Sequence, residues 1–239
     1  MFSDYRQRLV NELKEELEAA VNISCEDLAS QIRSIGFTCS MCGKCCRRSC
    51  GDNRVFLTSS DIRSLQDCSL DDAVIPMLPD MPDMPDVSFA DALHEYAREL
   101  EVDSQGRYHT FGWMLKRKAN GNCSFIGEDG SNRCGIYGSR PMLCGTYPFY
   151  IECGKLLTSE CEGLGKPISD EDAVLLAKGL LDRYVTELKD TVLLYEKFEA
   201  NDGSSPNIPS SKSSSDVDEV IFVVHDHNGN SEFAIKLNQ

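Results

Sequence analysis

The run Cys39-Ser40-Met41-Cys42-Gly43-Lys44-Cys45-Cys46 places four cysteines within eight residues, and Cys50 follows shortly after. Cys39, Cys42 and Cys45 stand at a repeated C-x2-C spacing, which lets one turn of chain present three thiolates to a single point. Gly43 lets the backbone pass close to that point. Thiolate sets of this kind hold zinc or an iron–sulfur cluster. Neighbouring side chains on an extended chain point to opposite sides, so Cys45 and Cys46 are expected to face different partners. The run then offers three ligands to one centre and one to a second, and the remaining ligands come from elsewhere in the chain. A disulfide framework is the rival reading. Such scaffolds are short secreted chains, below roughly 80–100 residues with more than about 8–10% Cys. Here 12 Cys are spread over 239 residues.

The second cysteine region holds Cys123, Cys134, Cys144, Cys153 and Cys161, with glycines between or beside them. It reads as short strands and turns wrapped around something. Zinc and iron–sulfur both accept four thiolates, so spacing alone leaves both open. Three Cys at two-residue gaps are similar to the cluster-wrapping run of bacterial ferredoxins, although no Pro follows here. Histidine is scarce: His94, His109, His225 and His227 do not pair with the cysteines in zinc-finger spacing. The expected cofactor is therefore an iron–sulfur cluster, of 4Fe–4S type, with four-Cys zinc as the alternative. His109 and Trp113 read as core or edge residues, and His225 and His227, beside a turn, as solvated. Cys25 and Cys68 read as core or surface thiols. The radical-enzyme motif C-x3-C-x2-C is absent: counting from Cys42 the last position is Ser49, and from Cys46 it is Asn53. No Walker loop, G-x-S-x-G elbow or Gly-rich dinucleotide pattern is present either.

The elements that must position these thiols are legible as follows. Residues 3–34 read as helix, with Tyr5, Leu9, Leu13 and Leu17 recurring every four residues, and Ser24 with Asp27 starting a second helix near Glu26. Residues 54–57 read as a short strand. Thr58 and Asp61 then open a helix to about Gln66. Residues 76–86 carry a Met-Pro-Asp repeat that favours an exposed, extended polyproline form. Phe89 to Val102 reads as helix, Arg107 to Lys118 as one strand, and Asn120-Gly121 as a turn. Ser139-Arg140-Pro141 enters one helical turn carrying Cys144, with Arg140 anchoring the turn by a salt bridge or holding an anion. Ser169 caps a helix to about Phe198 whose apolar face is Leu175, Leu176, Leu180, Tyr184 and Leu188. Val220–Val224 and Phe233–Ile235 form a hairpin about Asn228-Gly229. A lone hairpin is marginal in water, so this one should dock on the body or pair with another chain.

These motifs resemble the YkgJ family of cysteine-cluster proteins, zinc- or iron-chelating domains. The resemblance covers roughly residues 36–166. It is carried by Phe37-Thr38-Cys39 through Cys46-Arg47, by Val55 to Ile62, and by Asn122-Cys123-Ser124-Phe125. The densest part is Cys134-Gly135-Ile136-Tyr137-Gly138-Ser139-Arg140-Pro141 with Cys144-Gly145-Thr146-Tyr147-Pro148-Phe149, and Cys161-Glu162-Gly163-Leu164-Gly165 closes it. It implies a metal-ligand set of Cys39, Cys42, Cys45, Cys46, Cys123, Cys134, Cys144 and Cys161. Cys50 and Cys153 are extra. Gly145 stands where the family often has Arg. The cysteine cluster is also similar to that of flagellin lysine methylases, which implies protein lysine N-methyl transfer as a further alternative. A methyl-donor pocket is not visible in the sequence.

The fold class expected is α+β: a small irregular cysteine-rich core stapled by metal, flanked by helices, with a C-terminal β-hairpin. The expected divisions are a helical region (1–35), the cysteine-cluster metal-binding domain (36–166), a second helical region (167–200), a linker (201–216) and the hairpin (217–239). The net charge of −15 argues against nucleic acid and against an anionic membrane as partners, and leaves room for a protein partner. Residues 1–6 lack the basic start and apolar run of a signal peptide, and a cytoplasmic, thiol-reducing setting is expected. The function expected is metal binding with a redox, sensing or structural role. The alternatives are a zinc-stapled interaction module, with the hairpin as docking strand, and the methylase reading.

Overall fold

A computed structural model describes residues 2–79, 100–127, 132–198 and 219–236. The Met-Pro-Asp repeat from residue 80, most of the helix expected over 89–102, and the linker expected over 201–216 lie outside the described residues. The architecture is mixed α+β, with five helices among those residues and a C-terminal hairpin.

Helix α1 (Phe2–Val21) and helix α2 (Cys25–Ile35) both pack on the long helix α5 (Asp170–Lys197). Ser24 caps α2 by accepting from Asp27 N at 3.2 Å, and Ser169 caps α5 by accepting from Asp172 N at 3.0 Å. Leu28, Ala29 and Ile32 of α2 meet Ala173, Ala177 and Leu180 of α5, with Phe149 closing the layer. The two alanines let the helix backbones approach, and each fully buried Leu, Ile or Phe contributes about 1.5–3 kcal/mol. Leu175 is not part of that face: it is 71% exposed. It lies two residues from Ala173 and Ala177, about 200° around the helix, so it must point away once those alanines are buried. Similarly, α1 buries Val10 and Ala20 with Leu13 and Leu17 alongside, while Tyr5 is 60% exposed.

Two sheets form the other side of the molecule. In the first, β1 (Phe56–Leu57) and β2 (Val74–Pro76) flank β5 (Trp113–Leu115). In the second the order is β3 (Glu101–Val102), β4 (Tyr108–Phe111), β8 (Glu219–Asp226) and β9 (Gly229–Lys236). The stretch 107–118, expected as one strand, breaks at Gly112, whose φ of 82° turns β4 and β5 into different sheets. Glu101–Val102, expected to end a helix, instead pairs with Tyr108–His109. The hairpin docks on the body: β8 runs parallel to β4, with Tyr108 opposite Phe222 and Phe111 opposite His225. Phe222 and Val224 are fully buried beside Met114 and Leu78.

His225 is buried rather than solvated. Its Nε2 lies 2.9 Å from His109 Nδ1, and the two rings stack across the β4–β8 junction with centroids 5.2 Å apart. Asp103 Oδ2 stands 3.4 Å from His109 Nε2. Burial works against the charge of Asp103, yet Arg107, through its backbone N–H and guanidinium, and the N–H of Gln105 together hold its carboxyl down at about 2. Burial first, and His109 second, push His225 below the ordinary histidine value. The folded chain therefore resists a proton that the unfolded chain accepts. Stability from this site is fully present above about pH 6.5 and falls as the pH drops below that value. In thermal unfolding between about pH 5 and pH 7.5, His225→Asn should lose less stability on acidification than the parent protein. An equal loss in both would contradict this reading.

Candidate metal centre

The cysteine run bends at Gly43, which adopts left-handed geometry with φ 72° and turns the chain into a short 3-10 helix, Lys44–Cys46. A β-carbon at Gly43 would come within 3.0 Å of Asn132 and Ile126, so the loop carrying Cys134 lies close against the run. In a helical turn, unlike in a strand, successive side chains are about 120° apart. Cys45 and Cys46 consequently do not face opposite ways: their sulfurs are 4.0 Å apart.

Asn53 is a buried polar residue that fixes this turn, and nothing in its sequence context marks it. Its Nδ2 donates to Cys46 O at 3.1 Å and to Gly121 O at 3.0 Å, while Arg117 Nη1 donates to its Oδ1 at 2.9 Å. Cys123 N donates to Cys46 O at 2.9 Å, and Arg48 N to Asn122 Oδ1 at 2.9 Å. The turn at Asn120-Gly121 thus lays Cys123 beside Cys46. From there the chain loops back: Ile126 bridges Cys134, and Gly135 N donates to Phe125 O at 2.8 Å. Cys144 rides on the short helix α4 (Met142–Thr146). That helix is tethered by Asp61, whose Oδ1 accepts from Met142 N at 2.8 Å and whose Oδ2 accepts from Thr58 N at 2.9 Å. The Thr58–Asp61 capping box was legible in sequence; its grip on the Cys144 helix was not.

The remaining cysteines are brought in by a backbone clasp. Phe37 bridges Leu164, Thr38 N donates to Gly163 O at 3.0 Å, and Gly165 N donates to Gly36 O at 3.0 Å. Lys44 and Glu162 form an ion pair across the same seam. Cys39 and Cys161 therefore approach one another from residues 122 positions apart in sequence (161 minus 39).

Two neighbourhoods result. Cys161 has Cys42, Cys39 and Cys45 as its electrostatic neighbours; burial raises its thiol above the ordinary value and these sulfurs add to the effect. Cys144, pushed up to about 12 by burial and then by its neighbours, has Cys123, Cys45 and Cys134. Cys46 lies within hydrogen-bonding reach of both Cys123 and Cys45; these contacts raise its own thiol and bring Cys123 down to about 6 and Cys45 to about 7. Lys118 favours the Cys123 thiolate and Arg140 the Cys45 thiolate. Arg140 stacks its guanidinium 4.3 Å from the centre of the Tyr137 ring. On a chain of net charge −15, residues 38–54 place Lys44, Arg47, Arg48 and Arg54 against a single acid, Asp52.

All twelve cysteines are free thiols. Cys50 is exposed, with Lys44 near both it and Cys42. Cys153 sits at the turn between β6 (Phe149–Glu152) and β7 (Lys155–Thr158), next to Tyr184 and apart from both neighbourhoods. Cys25 packs on the α2–α5 core, and Cys68 is exposed beside Ser139. Among the described residues, no three Cys, His, Asp or Glu side chains stand in an arrangement that could hold a metal ion as it is. The donor chemistry nevertheless fits a thiophilic metal. The sulfurs are reduced, crowded and mutually destabilising when ionised, and a cation is what relieves that crowding.

Two substitutions test the scaffold. A β-carbon at Gly163 would stand 2.6 Å from Thr38 O and 2.8 Å from the Phe37 ring. Gly163→Ala should spring the clasp and lower unfolding stability by about 2–3 kcal/mol; an unchanged denaturation midpoint would refute the clasp. Asp61→Ala strips the cap and leaves the buried N–H of Met142 without its acceptor, so chemical denaturation should show a loss of about 2–4 kcal/mol.

A family model described as "Putative zinc- or iron-chelating domain", CxxCxxCC, matches residues 38–162. The match spans more than half of the chain and agrees with the resemblance read from the cysteine motifs. No curated protein and no solved structure matches the chain. No helix among the described residues is long and apolar enough to cross a membrane.

Proposed function

Because the chain belongs to the CxxCxxCC family of zinc- or iron-chelating domains, we propose that its clustered cysteines carry an iron–sulfur cluster of 4Fe–4S type in a redox or sensing role. Cys39, Cys42, Cys45 and Cys161 hold it, and Cys46, Cys123, Cys134 and Cys144 form a second thiolate centre. The observation that carries the reading is the backbone clasp of residues 36–38 with 163–165, which brings Cys161 to the side of the run where Cys42, Cys39 and Cys45 are its electrostatic neighbours. That set lies toward the surface: Cys39 and Cys45 are exposed, and Cys42 and Cys161 are half-buried. A cluster there would lie within reach of an electron donor or acceptor. When bound, it would supply one-electron chemistry at a potential tuned by hydrogen bonds to sulfur and by exposure. The residues that would do this tuning are on hand: Met41 N lies 3.4 Å from Cys39 Sγ and Gly163 N 3.4 Å from Cys161 Sγ.

A specific contact favours a second reading for the inner set. Thiolates on one zinc ion must stand side by side, and Cys123 N donates to Cys46 O at 2.9 Å, which lays two thiols of that set against each other. Zinc held there would act as a structural staple, joining the run to the Cys123 turn.

Anaerobic purification followed by an optical spectrum separates the two. The iron–sulfur reading expects a brown protein with a broad band near about 400 nm that bleaches on reduction. Cys161→Ser should abolish the band, and Cys123→Ser should leave it in place. A colourless protein that holds zinc would overturn the iron reading and leave the zinc reading standing.

A further inference from the structure

Further along α5 than its contact with α2, the start of helix α3 (Ser59–Asp67), the C-terminal half of α5 and the hairpin turn line a cleft of about 290 Å³, which continues into a wider trough. Binding pockets for small molecules start at about 300 Å³ and are mostly apolar with a few oriented polar groups. The walls of this cleft include four aromatic rings, Phe56, Phe111, Trp113 and Tyr195. Phe56 is 42% and Phe111 44% exposed, which is high for large apolar side chains. One face of Phe56 already takes a cation, the guanidinium of Arg54 at 5.5 Å.

Three carboxylates line the cleft beside one imidazole, that of His227. The carboxylates are those of Glu187, Asp190 and Asp226, and no Lys or Arg lines the cleft among the described residues; Arg63 and Lys189 belong to the outer trough. Each carboxylate is held in place. Asp190 Oδ2 accepts from Ser59 N at 2.7 Å, and Glu187 Oε1 accepts from Arg183 Nε at 2.8 Å. Asp226 Oδ2 accepts from the indole N–H of Trp113 at 2.7 Å, and its Oδ1 accepts from Asn228 N at 2.7 Å. A carboxylate keeps further lone pairs after one or two such bonds. Aromatic faces joined to pre-oriented carboxylates attract an organic cation, because the ring quadrupoles and the anionic oxygens act with the same sign while the alkyl part buries against the rings. A hydrated metal ion gains nothing from the rings.

We propose that this cleft binds a small alkylammonium cation, with the ammonium directed at Asp190 and Asp226 and its alkyl groups against Trp113 and Phe111. The site is separate from the thiols and does not rest on which metal they hold. The chain's single tryptophan lies in the cleft and reports on it directly. Full-length protein is titrated with n-butylammonium chloride and with tetramethylammonium chloride at constant ionic strength, and Trp113 fluorescence is followed. A saturable change with either salt is expected, and none with n-butanol or with calcium chloride. Asp190→Asn should weaken binding about tenfold, as expected for the loss of one charged contact. Because Asp190 also holds the α3 N-terminus, Phe111→Leu, at a half-exposed position, serves as the second variant and should weaken binding as well. No saturable change with either ammonium salt overturns the proposal, and so does an equal response to n-butanol or a response to calcium alone. Unaltered affinity in both variants also overturns it.

Discussion

Thiolates repel one another, and a chain that gathers several of them must keep them protonated or supply positive charge. In this protein the fold has already brought the sulfurs together. Cys45 and Cys46 stand 4.0 Å apart, and Cys46 lies within hydrogen-bonding reach of Cys123 as well. Burial and the neighbouring sulfurs hold the Cys144 proton to about 12. The basic side chains Lys118 and Arg140 offset only part of this. A bound metal would remove the conflict at its source, because it would replace the thiol protons with a cation and turn repulsion into coordination.

The rest of the scaffold can be understood as the means of imposing that crowding. The layer of α2 on α5, built on Ala29, Ala173 and Ala177, fixes where the chain enters and leaves the cysteine region. The clasp of residues 36–38 with 163–165 closes that region like a drawstring and draws the chain at Cys39 toward the chain at Cys161. Inside it, Asn53 and Asp61 spend buried polar atoms on holding the Cys46 turn and the Cys144 helix. Buried polar groups are tolerable only when fully hydrogen-bonded, and both of these are. Beneath the thiols, Val55, Leu65, Ala73 and Leu115 form a small core that includes Cys123.

Much of this was legible in the sequence, and the reasons are local. The cysteine spacing, the Ser24, Thr58 and Ser169 caps, the Asn120-Gly121 turn and the tail hairpin depend on residues near one another in the chain. What could not be read depends on distant contacts. Gly112 breaks the stretch 107–118 because β8, more than a hundred residues later, pairs with β4. His225 lies beside a turn and reads as solvated until that pairing buries it against His109. Leu175 fits an apolar stripe, but the alanines, not the leucines, select the face that α2 meets. At Cys45-Cys46 the error was one of local geometry: a strand separates neighbouring side chains, whereas the helical turn after Gly43 sets them side by side. For the eight cysteines, the ordered motifs gave their membership in one region, and only the clasp shows how Cys161 reaches the first three.

The central claim is that these sulfurs converge on metal. It is tested most directly by counting metal and acid-labile sulfide per chain in protein purified without oxygen, with an eight-serine variant at Cys39, Cys42, Cys45, Cys46, Cys123, Cys134, Cys144 and Cys161 as the blank. The account predicts iron with matching sulfide, or zinc, bound in stoichiometric amount to the parent chain and absent from the variant. A parent chain that folds and carries no metal would contradict it.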